Sequence, residues 1–357
     1  MKRVLIIKLW ALGDIVMATP MLAALRARYP NIHITWMVDT QHADLLLNHP
    51  GIDELIVLDT GSWRRLLRKG RLFSWLARSY SLHQEMARQD FSAVINCHPE
   101  KWWTLLLCAA PIRVGLYPSD TLPVTHRFYS ISLRRPRNPP VHNTDHYLLA
   151  TQALGCADSD KALTLGETTD EASFLASCRQ SGTLAGGRPL IVLAPFSTGE
   201  NRVWESERLA GLADWLGVTY QAEIAMPVRR QDAADAASIV DQTKQRNIKL
   251  VPDTTLRQYM ALIRAADLVI CGDSSPMHIA AALRTPFIAL FGPTPISERA
   301  PLIGTGLSLA KPLYCAPCDK NYCRNAIFRE CMKLITLSDV QAAVTKLLSP
   351  NSAEGEI

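Results

Sequence analysis

The chain has 357 residues, 48% of them hydrophobic and 20% charged, with a net charge of +5. That length and composition suit two globular domains, each able to bury a core without disulfide staples. The mild charge excludes an overall nucleic-acid-binding role, and no run of about 20 apolar residues, the length a bilayer crossing needs, occurs.

Met1-Lys2-Arg3 ahead of apolar residues looks like the start of a signal peptide. Lys8 and Asp14 interrupt the apolar stretch, and no small-residue cleavage site follows. Residues 4–9 therefore read as a buried first strand, and cytoplasmic residence is expected. A Gly-Asp turn comes next, and residues 15–28 carry apolar side chains at helical spacing, completing a strand-turn-helix unit. Residues 34–38, 55–58 and 93–97 repeat the strand pattern with helical segments between them, which argues for a parallel sheet covered on both faces. A Pro/Arg/Asn-rich stretch, 134–143, breaks the rhythm, and the glycines around 181–187 read as an interdomain linker. The alternation then restarts, with strands expected at 190–194, 222–226, 268–271 and 287–291 and helices at 205–216, 232–245 and 256–265. The fold class expected is α/β, with two Rossmann-like doubly wound domains at 1–180 and 188–349. The residues from 350 onward are polar and expected to fray.

Three loops at strand ends carry candidate chemistry, because open α/β sheets bind ligands there. In Leu12-Gly13-Asp14, Gly13 lets a ligand approach the backbone and Asp14 sets a carboxylate at a helix start. Read from chemistry alone, Asp14 caps that helix. In Gly272-Asp273-Ser274-Ser275-Pro276-Met277-His278, the proline suits a first helical turn, and Ser274 or Ser275 suits a cap. The free N–H groups there suit a pyrophosphate; a well-capped core helix with a satisfied His278 is the equal alternative. In Pro195-Phe196-Ser197-Thr198-Gly199, followed by Arg202 and Trp204, hydroxyls, a glycine and a cation suit phosphate. Neither the dinucleotide glycine fingerprint nor the P-loop pattern occurs, which counts against dehydrogenases and NTPases.

Together, Leu5-Ile6-Ile7-Lys8 through Asp14, the stretch Asp273 to Leu283, and Leu290-Phe291-Gly292-Pro293-Thr294 make the chain resemble the heptosyltransferases of glycosyltransferase family 9. The resemblance runs nearly end to end. It implies the GT-B architecture, with two facing Rossmann-like domains, the first receiving the acceptor and the second the donor. It also implies inverting transfer of L-glycero-D-manno-heptose from ADP-heptose to the lipopolysaccharide inner core, with no catalytic metal. Under it Asp14 becomes the general base, and Gly13, Ser197, Thr198, Arg202, Met226, Asp273, Ser274, Ser275, Met277 and His278 the donor-binding set. Three positions depart from the family pattern. Ser275 stands where glycine is common, Arg202 where lysine is usual, and Asp232 alone remains as the acidic residue expected near the donor ribose. These touch the choice of donor more than the reaction class. The rivals are a same-fold transferase using another nucleotide sugar or a protein acceptor, and a non-catalytic GT-B scaffold.

Residues 61–80 hold six cations and no carboxylate, interleaved with Trp63, Leu66, Leu67, Phe73, Trp75 and Leu76. A solvated basic face is the plain reading. The unrelieved charge and the tryptophans point further, to contact by Arg64, Arg65, Arg68 and Lys69 with an anionic acceptor or the inner-membrane surface. Near the C-terminus, Cys315, Cys318, Cys323 and Cys331 fall within a short insertion, 315–331. Four thiolates so spaced suit a structural zinc or iron; four free thiols are the alternative. Many relatives of the family carry a similar set.

Overall fold

The computed structural model describes residues 1–118, 123–136, 138–167, 171–197 and 199–348. The chain divides into two compact units between residues 167 and 168. The first holds strands β1 (Arg3–Ile7), β2 (His33–Asp39), β3 (Glu54–Leu58), β4 (Ala93–Asn96), β5 (Ile112–Tyr117) and β6 (Ile131–Arg134) in the order 3-2-1-4-5-6, all parallel. Its helices are α1 (Leu12–Ala18), α2 (Pro20–Arg28), α3 (Thr60–Arg68), α4 (Leu72–Arg88) and α5 (Asn143–Gln152). Val4 to Ile7 are fully buried because β1 lies between two neighbours and both sheet faces are covered.

The second unit opens with α6 (Glu171–Gln180) and builds β7 (Leu190–Ala194), β8 (Glu223–Val228), β9 (Ile248–Pro252), β10 (Leu268–Gly272), β11 (Phe287–Leu290) and β12 (Gly306–Leu309). Their order, 12-11-10-7-8-9, is the same winding as in the first unit. Around them lie α7 (Ser206–Tyr220), α8 (Ala233–Asp241), α9 (Leu256–Ala265), α10 (Ser275–Leu283), α11 (Ile296–Arg299), α12 (Glu330–Lys333) and α13 (Leu337–Leu348). Two doubly wound units in this order make the α/β fold of GT-B type. Among the described residues no helix is long and apolar enough to cross a membrane.

Three expectations are corrected. The helix expected over 15–28 is two, because Pro20 has no N–H to offer the Val16 carbonyl. The Thr19 hydroxyl donates to that carbonyl instead at 2.7 Å. The boundary expected at 180 falls earlier. The Thr164 N–H donates to Thr19 Oγ1, and the Gly166 N–H to the Leu45 carbonyl at 2.7 Å, so the first unit ends there. Helix α6 belongs to the second unit and is tied to α9 by Arg264 and Glu171, 2.9 Å apart. Strands β5, β6, β9 and β12 add to those expected.

Several histidines of the first unit are held neutral. His49 accepts the Gly51 N–H at Nδ1 and meets Thr164 Oγ1 through Nε2, both at 2.9 Å. Burial pulls its pKa down to about 4, and burial likewise brings His146 to about 4. Burial takes His98 to about 2, aided by Lys8 and Lys101, and its Nε2 accepts the Leu9 N–H at 3.0 Å. In the unfolded chain each ring titrates near 6.5. Below that pH the unfolded state takes up protons that the fold refuses. The stability these neutral rings contribute is therefore complete above pH 6.5 and is lost as pH falls through the folded values. At about pH 5 each ring costs on the order of 2 kcal/mol. The melting temperature should drop clearly between about pH 7 and about pH 5; a level profile over that interval would show that these rings do not resist protonation.

Candidate active site

In each sheet the order reverses beside the first strand, between β1 and β4 and between β7 and β10. The loops that leave such neighbouring strands diverge and open a crevice at the carboxyl ends. The candidate side chains fall on those loops.

In the first unit the loop from β1 to α1 is pinned by its backbone. Lys8 N–H donates to the Met37 carbonyl, Asp39 N–H to the Leu9 carbonyl, and Leu9 N–H to His98. His98 is set in turn by Asn96 at the end of β4, whose Oδ1 accepts the His98 N–H at 2.8 Å, while its amide donates to Thr104 and Tyr129. Ala11 adopts φ +68°, a conformation that favours glycine, just where the helix begins. Asp14 lies in the first turn of α1 with its side chain one-third exposed, and it is not the cap: Ala11, whose methyl group can make no capping bond, is the N-cap. Its partners are the Lys8 ammonium at 3.8 Å and Asn143 Nδ2 at 3.4 Å. Lys8 is buried, donates to the Trp10 carbonyl at 2.8 Å and lies 5.7 Å from the Tyr147 ring centre. Gly13 sits in the same turn, half-buried. Lys8 and Asn143, neither singled out as a site residue from sequence, are the groups that orient Asp14. Only their fold neighbourhood reveals them.

The basic segment is sorted differently from the expectation. Trp63 and Trp75 are core residues, edge to face at 6.1 Å, and not surface aromatics. Arg65 is relieved by Asp59 at 3.5 Å, just outside the basic run. Arg64 is exposed, with its guanidinium 5.7 Å above the Trp10 ring. Arg68 and Lys69 are exposed at the end of α3.

In the second unit Arg202 follows β7 and Asp273 follows β10, and the two meet at 3.4 Å across the reversal point. Asp273 is buried; beyond the ion pair its Oδ2, like Arg202 Nε, has no hydrogen-bond partner among the described residues. Polar atoms left so are rare in folded proteins and mark places where a bound group gains most. A Cβ on Gly272 would lie 3.1 Å from the Arg202 carbonyl, a tight contact, so glycine eases the close approach of these two loops. Ser274 occupies the N-cap position of α10, yet its hydroxyl leans 3.4 Å toward the Gly272 carbonyl and makes no capping bond to the helix. The N-terminus of α10 thus keeps the positive end of its dipole beside Ser274 and Ser275, although Pro276 has no N–H and the Met277 N–H meets the Cys271 thiol. Ser197 accepts the Gly199 N–H at 3.5 Å; Thr198 lies outside the described residues. Met226, Met277 and His278 are buried, Met226 within the second core, so the two methionines shape the site from behind and present no surface to it. Asp232 is engaged by Arg229 at 2.6 Å.

The cysteine segment is stapled to the Arg202 loop. Asn201 Nδ2 donates to the Lys320 carbonyl at 2.7 Å, Arg202 to Asn321 Oδ1 at 3.4 Å, and Arg329 to the Val203 carbonyl at 3.1 Å. Cys315, Cys318, Cys323 and Cys331 all line one cavity of about 330 Å³. Burial raises the Cys331 pKa, and Cys315, Cys323 and Cys318 add to the rise. A thiol-only donor set suits a thiolate-binding ion, although among the described residues no three His, Cys, Asp or Glu side chains are gathered closely enough to hold one.

Comparison with known proteins agrees with the fold. Lipopolysaccharide heptosyltransferase 1 of Pseudomonas aeruginosa is 24% identical over 98% of this chain and 95% of its own length. A glycosyl transferase family 9 structure from Veillonella parvula DSM 2008 superposes with a TM-score of 0.82 at 25% identity, covering 97% of both chains. The E. coli ADP-heptose lps heptosyltransferase II shares the fold with a TM-score of 0.75 at 20% identity, over 99% of this chain and 100% of that one. The family model described as glycosyltransferase family 9 (heptosyltransferase) matches residues 79–328, most of the chain, and this protein belongs to that family.

Proposed function

We propose that the protein is an inverting transferase that moves L-glycero-D-manno-heptose from ADP-heptose to the lipopolysaccharide inner core. The observation that carries this reading is the placing of Asp14 in one unit, and of the Arg202–Asp273 pair in the other, at the reversal point of each sheet. The names of the relatives supply the sugar and the acceptor. Asp14, oriented by Lys8 and Asn143, takes the proton from an acceptor hydroxyl as its oxygen bonds to the anomeric carbon. The bond from that carbon to the diphosphate breaks on the opposite side, which inverts the centre, and ADP leaves with the electron pair. Arg202 and the positive end of the α10 dipole meet the charge that develops on the diphosphate. Arg64, near the Asp14 loop, draws the anionic acceptor.

A thermal-shift titration with ADP, UDP and GDP tests the donor: a ligand that binds only the folded chain raises its melting temperature. ADP alone should do so. A shift with UDP or GDP in its place would keep the reaction class and sink the heptose assignment. Asp14→Asn should lower kcat about 10²–10⁴-fold with little change in KM for the donor. Arg202→Met should lower kcat/KM for the donor roughly 10–100-fold, the worth of a charge-assisted contact, with kcat falling as well. An Asp14→Asn enzyme with unimpaired kcat would remove the base.

Cys315, Cys318, Cys323 and Cys331 hold a structural zinc or iron in this reading, and the metal takes no part in transfer. Elemental analysis of the purified chain should find a single such ion, lost in Cys318→Ser along with several degrees of melting temperature. A metal-free chain that melts as Cys318→Ser does would leave four free thiols.

A further inference from the structure

Helices α3 and α4 leave a surface that the transfer chemistry does not use. Within the basic run Arg65 reaches Asp59 and Arg78 folds over Trp63, 5.6 Å from its ring centre. Arg68, Lys69 and Arg71 instead stand exposed at the turn joining the two helices. At 100° per residue, Leu72, Phe73, Leu76 and Tyr80 fall within about 100° of arc on α4. All four are exposed, Phe73 by 88%, Tyr80 by 66% and Leu72 by 53%. They are not the core face of the helix, which is the neighbouring stripe of Trp75, Ser79 and Met86. Leu67 of α3, also exposed, adds to the patch.

Charge decides what covers it. A second copy of this face, paired about a two-fold axis, would bring the same cations together. An anionic lipid surface neutralises them while its interfacial layer takes up the apolar stripe. We propose that the α3–α4 turn is a peripheral membrane anchor. Leu72, Phe73, Leu76 and Tyr80 enter the interfacial layer of an anionic bilayer, and Arg68, Lys69 and Arg71 hold its headgroups. The anchor deepens the reading of a lipid-borne acceptor, but its observation is separate from the transfer residues.

The test is co-sedimentation of the full chain with vesicles of phosphatidylcholine, alone or mixed with phosphatidylglycerol. The chain should sediment with the mixed vesicles only, and added salt should release it. Each of Arg68→Gln, Lys69→Gln and Arg71→Gln should weaken binding roughly fivefold. Phe73→Ser combined with Leu76→Ser should weaken it roughly tenfold or more. These positions are exposed, so the variants should keep the wild-type melting temperature and its shift with ADP. If wild type binds the mixed vesicles yet shows no ADP shift, the anchor stands and the donor reading fails. Absence from the mixed vesicles, or sedimentation that survives both sets of substitutions, would overturn the anchor. So would a dimer in sedimentation velocity that Phe73→Ser with Leu76→Ser abolishes while vesicles go unbound; the face would then be an interface between copies.

Discussion

Parallel strands cannot be joined by a hairpin, so each connection crosses a sheet face and returns, and it does so with right-handed sense. In both units the chain builds outward from a central strand, β1 or β7, then returns to that strand's other side with β4 or β10. The connections after those two neighbours leave toward opposite faces, and the loops that lead into them border one crevice at the strand ends. The carboxylate argued to act as base and the pair argued to face the donor descend from that constraint. Asp14 comes from the loop after β1, while His98, which pins that loop, comes from the one after β4. Arg202 and Asp273 come from the equivalent pair in the second unit.

A crevice made by topology still has to be furnished with fixed groups, and the two units do this differently. The first uses buried polar side chains as struts. Asn96 holds His98, His98 holds the Leu9 amide, and Lys8 holds the Trp10 carbonyl, so the chain is forced through the unfavourable Ala11 conformation that starts α1. Lys8 also gives the Asp14 carboxylate a buried counter-charge, and its removal would leave the carboxylate to Asn143 alone. The second unit uses an added segment. The cysteine-bearing stretch bonds to the Arg202 loop at three of its residues, and Gly292 lets it pack close: a Cβ there would lie 2.5 Å from Met332 Sδ and 3.0 Å from Cys331 Sγ.

The central strands were legible because they are apolar on both faces, and the strand-end loops because glycine, proline and acid mark them. The outer strands were not. β9 has only two buried residues, alternating with Lys249 and a proline, and β12 is half-exposed with a glycine at its start, so neither shows the apolar run of a covered strand. The tryptophans of the basic run misled for a related reason. Trp63 and Trp75 lie among arginines in the sequence but on the inward stripes of two helices, and only the packing of α3 on α4 tells inward from outward. The pairs Lys8–Asp14 and Arg202–Asp273 depend on tertiary approach. Asp14 was legible as a position, and its partners were not.

Arginine at 202, where the family resemblance leads one to expect lysine, has a structural counterpart in the added segment. A guanidinium is a planar fork with five donors, whereas an ammonium is a compact point charge. Here one terminal nitrogen faces Asp273 at 3.4 Å and the other donates to Asn321 at 3.4 Å, leaving Nε directed elsewhere. A lysine ammonium reaching Asp273 has no second nitrogen to bring to Asn321 in that fixed geometry. The arginine thus joins three stretches of chain: the β7 loop, the end of β10 and the segment between Cys318 and Cys323. The order of the cysteine segment and the aim of the Arg202 cation are therefore one mechanical problem, and a change that loosens the cysteines acts on the same side chain that faces the diphosphate in the proposed reaction.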